Sequence, residues 1–303
     1  IDAMLDNSSK VFIGLGGNFV SATPETQQTI KALSNCNLTV SIATKLNRTH
    51  VTPGKQSLIL PCLGRTDIDI QKGQAQSITV EDSFSMVHAS AGVVDNEHKT
   101  LKSEPAIIAG IAQATLGDFP IRWQDVINDY SNIRTLIAKT IPGFADFNRR
   151  LETPGGFYLG NSAADYNWQT TTGKATFSSA TLPSTLIPAF NDKNQIVFTM
   201  QTLRSHDQYN TTIYGFEDRY RGISGERNII LINEKDIKRL GKSDGDIVDI
   251  VSIWTDNVER KVSGFKLCAY DIPRGQVACY FPEANPLIPR ASVGVDSFTP
   301  TSK

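Results

Sequence analysis

The chain has 303 residues, a formal charge of −1, 40% hydrophobic and 20% charged side chains, which is length and apolar content enough for two globular domains. Thirty basic residues face thirty-one acidic ones with no block of five or six like charges, so nothing marks a nucleic-acid or membrane-surface binder. No apolar run reaches the ~18 to 20 residues of a membrane span and no secretory leader opens the sequence, so a cytoplasmic protein without membrane insertion is expected.

The chain starts at Ile1-Asp2-Ala3 without an initiator Met and enters its first predicted strand at Val11; it stops at Phe298-Thr299-Pro300-Thr301-Ser302-Lys303 without a helix cap. A piece of a longer polypeptide is the expectation. Val11–Leu15 reads as a strand that ends in the turn Gly16-Gly17-Asn18, and Thr23-Pro24-Glu25 supplies an N-cap, a proline and an acid for a following helix. Leu38–Ala43 and Ser57–Leu60 are further short apolar strands with α/β spacing, which predicts a parallel sheet. A helix is predicted from Ser103-Glu104-Pro105 to Gly117, and another from about Trp123 through Ile127, Tyr130, Ile133 and Ile137, broken by Pro142-Gly143.

From residue 151 to 188 the composition turns to Gly, Ser, Thr, Asn and Pro, the mark of a connector. Beyond it, 196–200, 229–232, 247–251, 265–270 and 276–281 read as strands, with one short helix from Glu234 to Leu240. Many short strands with one helix point to a closed β-barrel, an arrangement without exposed edges. The expected organisation is an α/β domain over 1–150, a connector over 151–188 and a β-barrel over 189–303.

Three segments concentrate chemistry. The turn Gly14-x-Gly16-Gly17 stands between strand and helix, where a phosphate-binding loop belongs, and equally where a tight turn simply needs glycine. Phe19 occupies the third glycine of a dinucleotide fingerprint and no acid ends the second strand, which weakens a nicotinamide-dependent dehydrogenase reading. Thr44-Lys45-Leu46-Asn47-Arg48-Thr49-His50 gathers cations, hydroxyls, an amide and an imidazole after the second strand, as a phosphate or purine grip or as a solvated loop. Arg204-Ser205-His206-Asp207-Gln208-Tyr209-Asn210-Thr211-Thr212 holds a large polar ligand or satisfies its own backbone. Without G-x-S-x-G, a serine hydrolase has little support. The cysteines Cys36, Cys62, Cys268 and Cys279 are scattered, with no zinc spacing, and read as reduced buried thiols.

Together these pieces resemble the C-terminal half of the molybdopterin oxidoreductase family, whose large subunits hold molybdenum or tungsten between two molybdopterin guanine dinucleotides. The resemblance covers nearly the whole chain. Phe12–Asn18 is similar to the family's strand and G-x-N loop, and Ser57-Leu58-Ile59-Leu60-Pro61 to its A-D-V-V-L-P strand. Val40 to His50 resembles the segment ending in its T-E-T-A-like loop, with Asn47 and Thr49 at the two threonine positions. Thr172-Gly173-Lys174-Ala175-Thr176-Phe177 resembles the entry to the dinucleotide-binding barrel, and Leu240 to Val248 its L-G-I-x-D-G-D-x-V turn. The wording is nearest to formate-dehydrogenase-like alpha subunits.

The resemblance implies a Rossmann-like parallel-sheet domain followed by a double-psi-type β-barrel. It places Gly16, Gly17, Asn18, Asn47, Arg48 and Thr49 against one guanine dinucleotide from the α/β side. Arg204, Gln208, Tyr209, Asn210 and Thr211 match the polar barrel loop that closes over the cofactor, and Asn285 and Lys303 match a late asparagine and a late lysine. No catalytic or metal-ligating residue is expected here, because the metal ligand and any iron-sulfur cysteines lie in the family's N-terminal half. The implied partners are that half of the polypeptide, a small substrate such as formate and an electron-transfer subunit. A stand-alone pterin or nucleotide carrier is the non-enzymatic alternative.

Overall fold

The structure is a computed structural model that describes residues 1–98, 100–182, 195–294 and 297–300. Two compact units divide it: Ile1–Leu60 together with Ser184–Lys303, and Pro61–Pro183. These units fall elsewhere than the expected boundaries at 150 and 188, because the first sixty residues pack against the C-terminal part of the chain.

In the first unit, helix α1 (Asp2–Leu5) precedes strand β1 (Val11–Leu15), helices α2 (Phe19–Ala22) and α3 (Thr26–Asn35), and strands β2 (Leu38–Ala43) and β3 (Gln56–Pro61). The sheet order is β1-β2-β3, with β1 and β2 parallel in the register Val11↔Leu38. Central β2 is buried over Thr39–Ile42, whereas Val11, Ile13 and Leu15 on one side of β1 are each about half exposed. Met4, Val20, Ala32, Leu33 and Cys36 form the apolar core against which Phe12 and Phe19 pack, their rings 4.9 Å apart.

The glycine turn leads into only four helical residues, and the ten-residue α3 begins after Glu25, not at Thr23-Pro24. Two contacts explain the interruption. The Thr23 hydroxyl donates to the Phe19 carbonyl and so ends α2, while Glu25 adopts a left-handed φ of 50° that turns its carboxylate toward Arg260.

The second unit contains a two-stranded hairpin, β4 (Ile70–Gln71) and β5 (Gln74–Ala75), then strands β6 (Ile78–Glu81) and β7 (Met86–Ser90) and helices α4 (Glu104–Leu116), α5 (Trp123–Asn128), α6 (Ser131–Thr140) and α7 (Phe147–Leu151). Ser103 caps α4 as expected, its hydroxyl accepting from the Ala106 N–H. The single helix expected from Trp123 is split in two. Asp129 leaves helical geometry and its carboxylate accepts the Ser131 N–H, while the buried Tyr130 hydroxyl donates to Asp69 and sits 2.7 Å from Ser103 Oγ. The connector also contains a strand, β8 (Phe157–Tyr158), paired antiparallel with β7.

Returning to the first unit, β9 (Thr199–Leu203), β10 (Ile229–Ile232), α8 (Glu234–Arg239), β11 (Ile247–Ser252), β12 (Arg260–Ala269) and β13 (Gln276–Tyr280) form a mixed five-stranded sheet ordered β11-β12-β10-β13-β9. Strand β10 is parallel to β12 and antiparallel to β13, and β13 is parallel to β9. All four residues of β10 are buried, because apolar side chains cover both faces: Ile230, Ile232, Phe265, Leu267 and Leu287 on one, Ile229, Leu231, Ala278 and Tyr280 on the other. Among the described residues no ladder joins β11 to β9, so the sheet is an open curl where a closed barrel was expected. The strand expected at 196–200 runs instead over Thr199–Leu203, and β12 starts at Arg260, five residues before its predicted position.

Candidate cofactor-binding site

Six residues that the sequence singled out meet at the end of the β1-β2-β3 sheet. Gly16 and Gly17 both take left-handed φ values, 64° and 67°, that only glycine adopts cheaply, and a Cβ at Gly17 would meet no atom within 4 Å. The carbonyl of Gly17 accepts a 2.7 Å bond from Asn47 Nδ2. Asn47 Oδ1 caps the short 3₁₀ turn Arg48–Val51 by accepting the Thr49 N–H, and Thr49 Oγ1 in turn accepts the Val20 N–H at 3.2 Å and donates to Asn18 Oδ1 at 3.5 Å. The glycine turn and the donor-rich loop are thus stitched into one surface. Because α2 is only four residues long, its donors come from side chains and the turn backbone; no long helix dipole supports them.

Arg48 is exposed and, among the described residues, no carboxylate pairs with it. Next to it, His50 Nδ1 lies 3.0 Å from the Asn47 N–H and 3.1 Å from Asn47 Oδ1, while its buried Nε2 has no partner. An orphaned ring nitrogen beside a free guanidinium and an open glycine turn is a surface with unused hydrogen-bonding capacity.

The second constellation follows β9. Gln208 is its internal brace: Oε1 accepts from the Ser205 N–H and hydroxyl, and Nε2 donates to the carbonyls of Asn210 and Phe281. Thr211 is buried. Arg204 donates to Asn210 Oδ1 at 2.8 Å, and both residues are exposed, as is Tyr209 at 70% of its surface. Arg204, Tyr209 and Asn210 therefore face outward, whereas Gln208 and Thr211 hold the loop. Ser205 bonds to Gln208 and Arg227, and His206 to Asp207 and Arg219, so these two do not pair as nucleophile and base.

Residues 281–288 connect the two constellations. Phe281 and Glu283 bind the 204–211 loop through Gln208 and Arg227, and buried Asn285 donates both amide protons to the carbonyls of Ser21 and Ala22, at 2.7 and 3.1 Å. With its amide so engaged, Asn285 positions α2 beneath the glycine turn. Lys303 lies outside the described residues.

Several residues that the sequence reading passed over organise this region. Arg227, only 4% exposed, donates to both oxygens of Glu283, to Ser205 Oγ, to Gln208 Oε1 and to the Phe281 carbonyl, with its guanidinium 4.4 Å and 4.7 Å from the ring centres of Tyr214 and Tyr280. Burial, and then Glu283, push the Tyr214 hydroxyl pKa up against the opposing pull of Arg227 and Arg48. Burial raises the Asp218 carboxyl, yet its bonds from Tyr280 and Arg221 outweigh that and hold it below its ordinary value. Arg221 also donates to the Arg204 carbonyl. The available sequence signal was a charged pair, Glu226-Arg227, placed directly before an apolar strand that is buried on both faces.

The donor set suits a large anionic ligand rich in hydrogen-bond acceptors, such as a dinucleotide. Comparison with known proteins agrees. Residues 198–302 match the family model of the Molydopterin dinucleotide binding domain. Over its whole length the chain is 45% identical to an uncharacterized oxidoreductase of Mycobacterium tuberculosis, and over 95% of its length it is 42% identical to Protein YdeP of Escherichia coli. It spans only 39% and 38% of those two relatives. Acetylene hydratase from Pelobacter acetylenicus shares the fold, with a TM-score of 0.53 over 92% of this chain and 38% of its own, at 16% identity. Residues 198–302 thus resemble a molybdopterin dinucleotide binding domain, within a chain that is similar to part of longer oxidoreductases.

Proposed function

We propose that this chain is the cofactor-cradling part of a formate-dehydrogenase-like oxidoreductase that holds molybdopterin guanine dinucleotide with molybdenum or tungsten. The single observation that carries the reading is the path of hydrogen bonds from Gly17 through Asn47, Thr49, Val20 and α2 to Asn285, carried along the backbone of residues 281–285 and on from Phe281 through Gln208 and Asn210 to Arg204. Parallel β1-β2 pairing at one end of that path, and the parallel pairs β10-β12 and β13-β9 at the other, are in keeping with a Rossmann-like sheet and a double-psi-type barrel.

When bound, the cofactor supplies two-electron redox chemistry at its metal, with formate or another small molecule as donor. The chain's own residues bind and orient. Arg48 and Arg204, both exposed, offer guanidinium donors to diphosphate or pterin oxygens. Gly16 and Gly17 let a ligand approach the backbone closely. The half-exposed Val11, Ile13 and Leu15 would be covered by the N-terminal half of the polypeptide, in keeping with relatives more than twice as long. An electron-transfer subunit and a cytoplasmic location complete the proposal; among the described residues, no helix is long and apolar enough to cross a membrane.

The test uses the full-length protein from cells that make the cofactor, with metal measured by mass spectrometry and guanine nucleotide released by acid. About one Mo or W and about two guanine nucleotides per chain are expected for a bis-dinucleotide cofactor. Absence of both overturns the reading.

A further inference from the structure

We propose that Arg227 is the positioning residue of this cradle: it never touches the cofactor, but it sets the loop 204–211 so that Arg204, Tyr209 and Asn210 face the ligand. The inference rests on the cradle reading above and extends it to a residue with no exposed donor. Three observations carry it.

First, Arg227 is the point at which three separate segments meet. Its Nη1 binds Ser205 Oγ at 2.7 Å, its Nη2 binds Gln208 Oε1 at 3.2 Å and the Phe281 carbonyl at 2.8 Å, and its Nε binds Glu283 Oε1 at 2.7 Å. Second, the guanidinium cannot swing away, because the rings of Tyr214 and Tyr280 flank it and Tyr280 is itself anchored by a 2.7 Å bond to Asp218. Third, most of the residues that accept from it are neutral, and Ser205 and Gln208 belong to the loop itself. A lysine could keep the charge pair with Glu283, yet a single ammonium cannot reach Ser205, Gln208 and Phe281 in a planar fork. The loop's outward residues depend on the same brace: Gln208 holds the Asn210 carbonyl, and Asn210 holds the Arg204 guanidinium.

Arg227→Lys in the full-length protein tests this, with Arg260→Lys as a second buried-arginine control and Ser205→Ala as a milder variant that leaves the Arg227–Glu283 pair intact. In protein made without cofactor, amide exchange of residues 205–211 should quicken about tenfold in Arg227→Lys, and remain at the wild-type rate in Arg260→Lys. In protein made with cofactor, guanine nucleotide should leave Arg227→Lys about tenfold faster than wild type, with a smaller effect for Ser205→Ala. Unchanged loop exchange in Arg227→Lys overturns the proposal whether or not cofactor binds. Equal nucleotide loss from Arg260→Lys also overturns it, since any buried arginine would then serve. Absence of guanine from the wild type while the loop still loosens in Arg227→Lys removes the cradle reading and leaves Arg227 as a loop brace alone, which overturns its role toward a cofactor.

Discussion

Arg227 and Arg260 are both buried arginines, 4% and 6% exposed, and each faces a glutamate, yet they do different work. Arg260 is surrounded by carboxylates: Nε and Nη2 bind Glu25 Oε1 at 3.1 and 2.6 Å, and Nη1 and Nη2 bind both oxygens of Asp256. Glu25 also accepts the Arg290 N–H, and Arg290 reaches Asp2, so the group ties the first sixty residues to the start of β12 and to the segment after 288. Arg227 has one carboxylate, several neutral acceptors and two aromatic faces. A cation matched by anions fastens two segments, whereas one whose neutral acceptors include Ser205 and Gln208 of a loop fixes the shape of that loop; the partners, not burial, separate the two roles.

The sharpest way to break the comparison is to remove the fastening. Arg260→Met should cost about 3 to 5 kcal/mol in urea unfolding, because Glu25 and Asp256 are left as uncompensated charges. Adding Glu25→Gln to that variant should restore part of the loss, which a purely steric effect would not allow. Next in size, Asn285→Ala should cost about 1 to 3 kcal/mol by leaving the Ser21 and Ala22 carbonyls without their donor.

The smallest effect is a pH dependence. Hydrogen bonds from Arg260 lower the Asp256 carboxyl from 3.8 to about 2. A depressed folded pKa means that its contribution to stability is present above the unfolded value and is lost as pH falls through about 2. Stability measured between pH 5 and 2 should therefore decline in the wild type, and the part due to Asp256 should be missing from Arg260→Met.

Much of the α/β portion was legible because its signals are local. Val11–Leu15, Leu38–Ala43 and the helix from Ser103 to Gly117 follow from apolar runs, capping and glycine stops, and the structure reproduces their bounds closely. The break at Asp129-Tyr130 was hidden, since it depends on Asp69, a residue 61 positions away. The family motifs pointed to Asn47, Thr49 and the 204–211 loop, and the structure joins Asn47 and Thr49 to the glycine turn. Arg227, Tyr214 and Glu283 carry no motif, and nothing in their neighbours reveals that one guanidinium joins Ser205, Phe281 and Glu283. Their importance comes from contacts across 22 to 56 residues, which periodicity cannot see.

The division of the first unit between the two ends of the chain also dictates an order of events during synthesis. Residues 1–60 emerge from the ribosome before residues 61–303, but Glu25 must wait for Arg260, 235 residues later, and Asp2 for Arg290, 288 residues later. Residues 61–183 need not wait for the C-terminal part, since they form a compact unit of their own, and they are free to fold in the interval. Throughout that interval α2 lacks the hydrogen bonds by which Asn285 holds it. The cradle is therefore among the last parts of this chain to acquire its shape, and a cofactor meeting the nascent chain would find only its separate pieces.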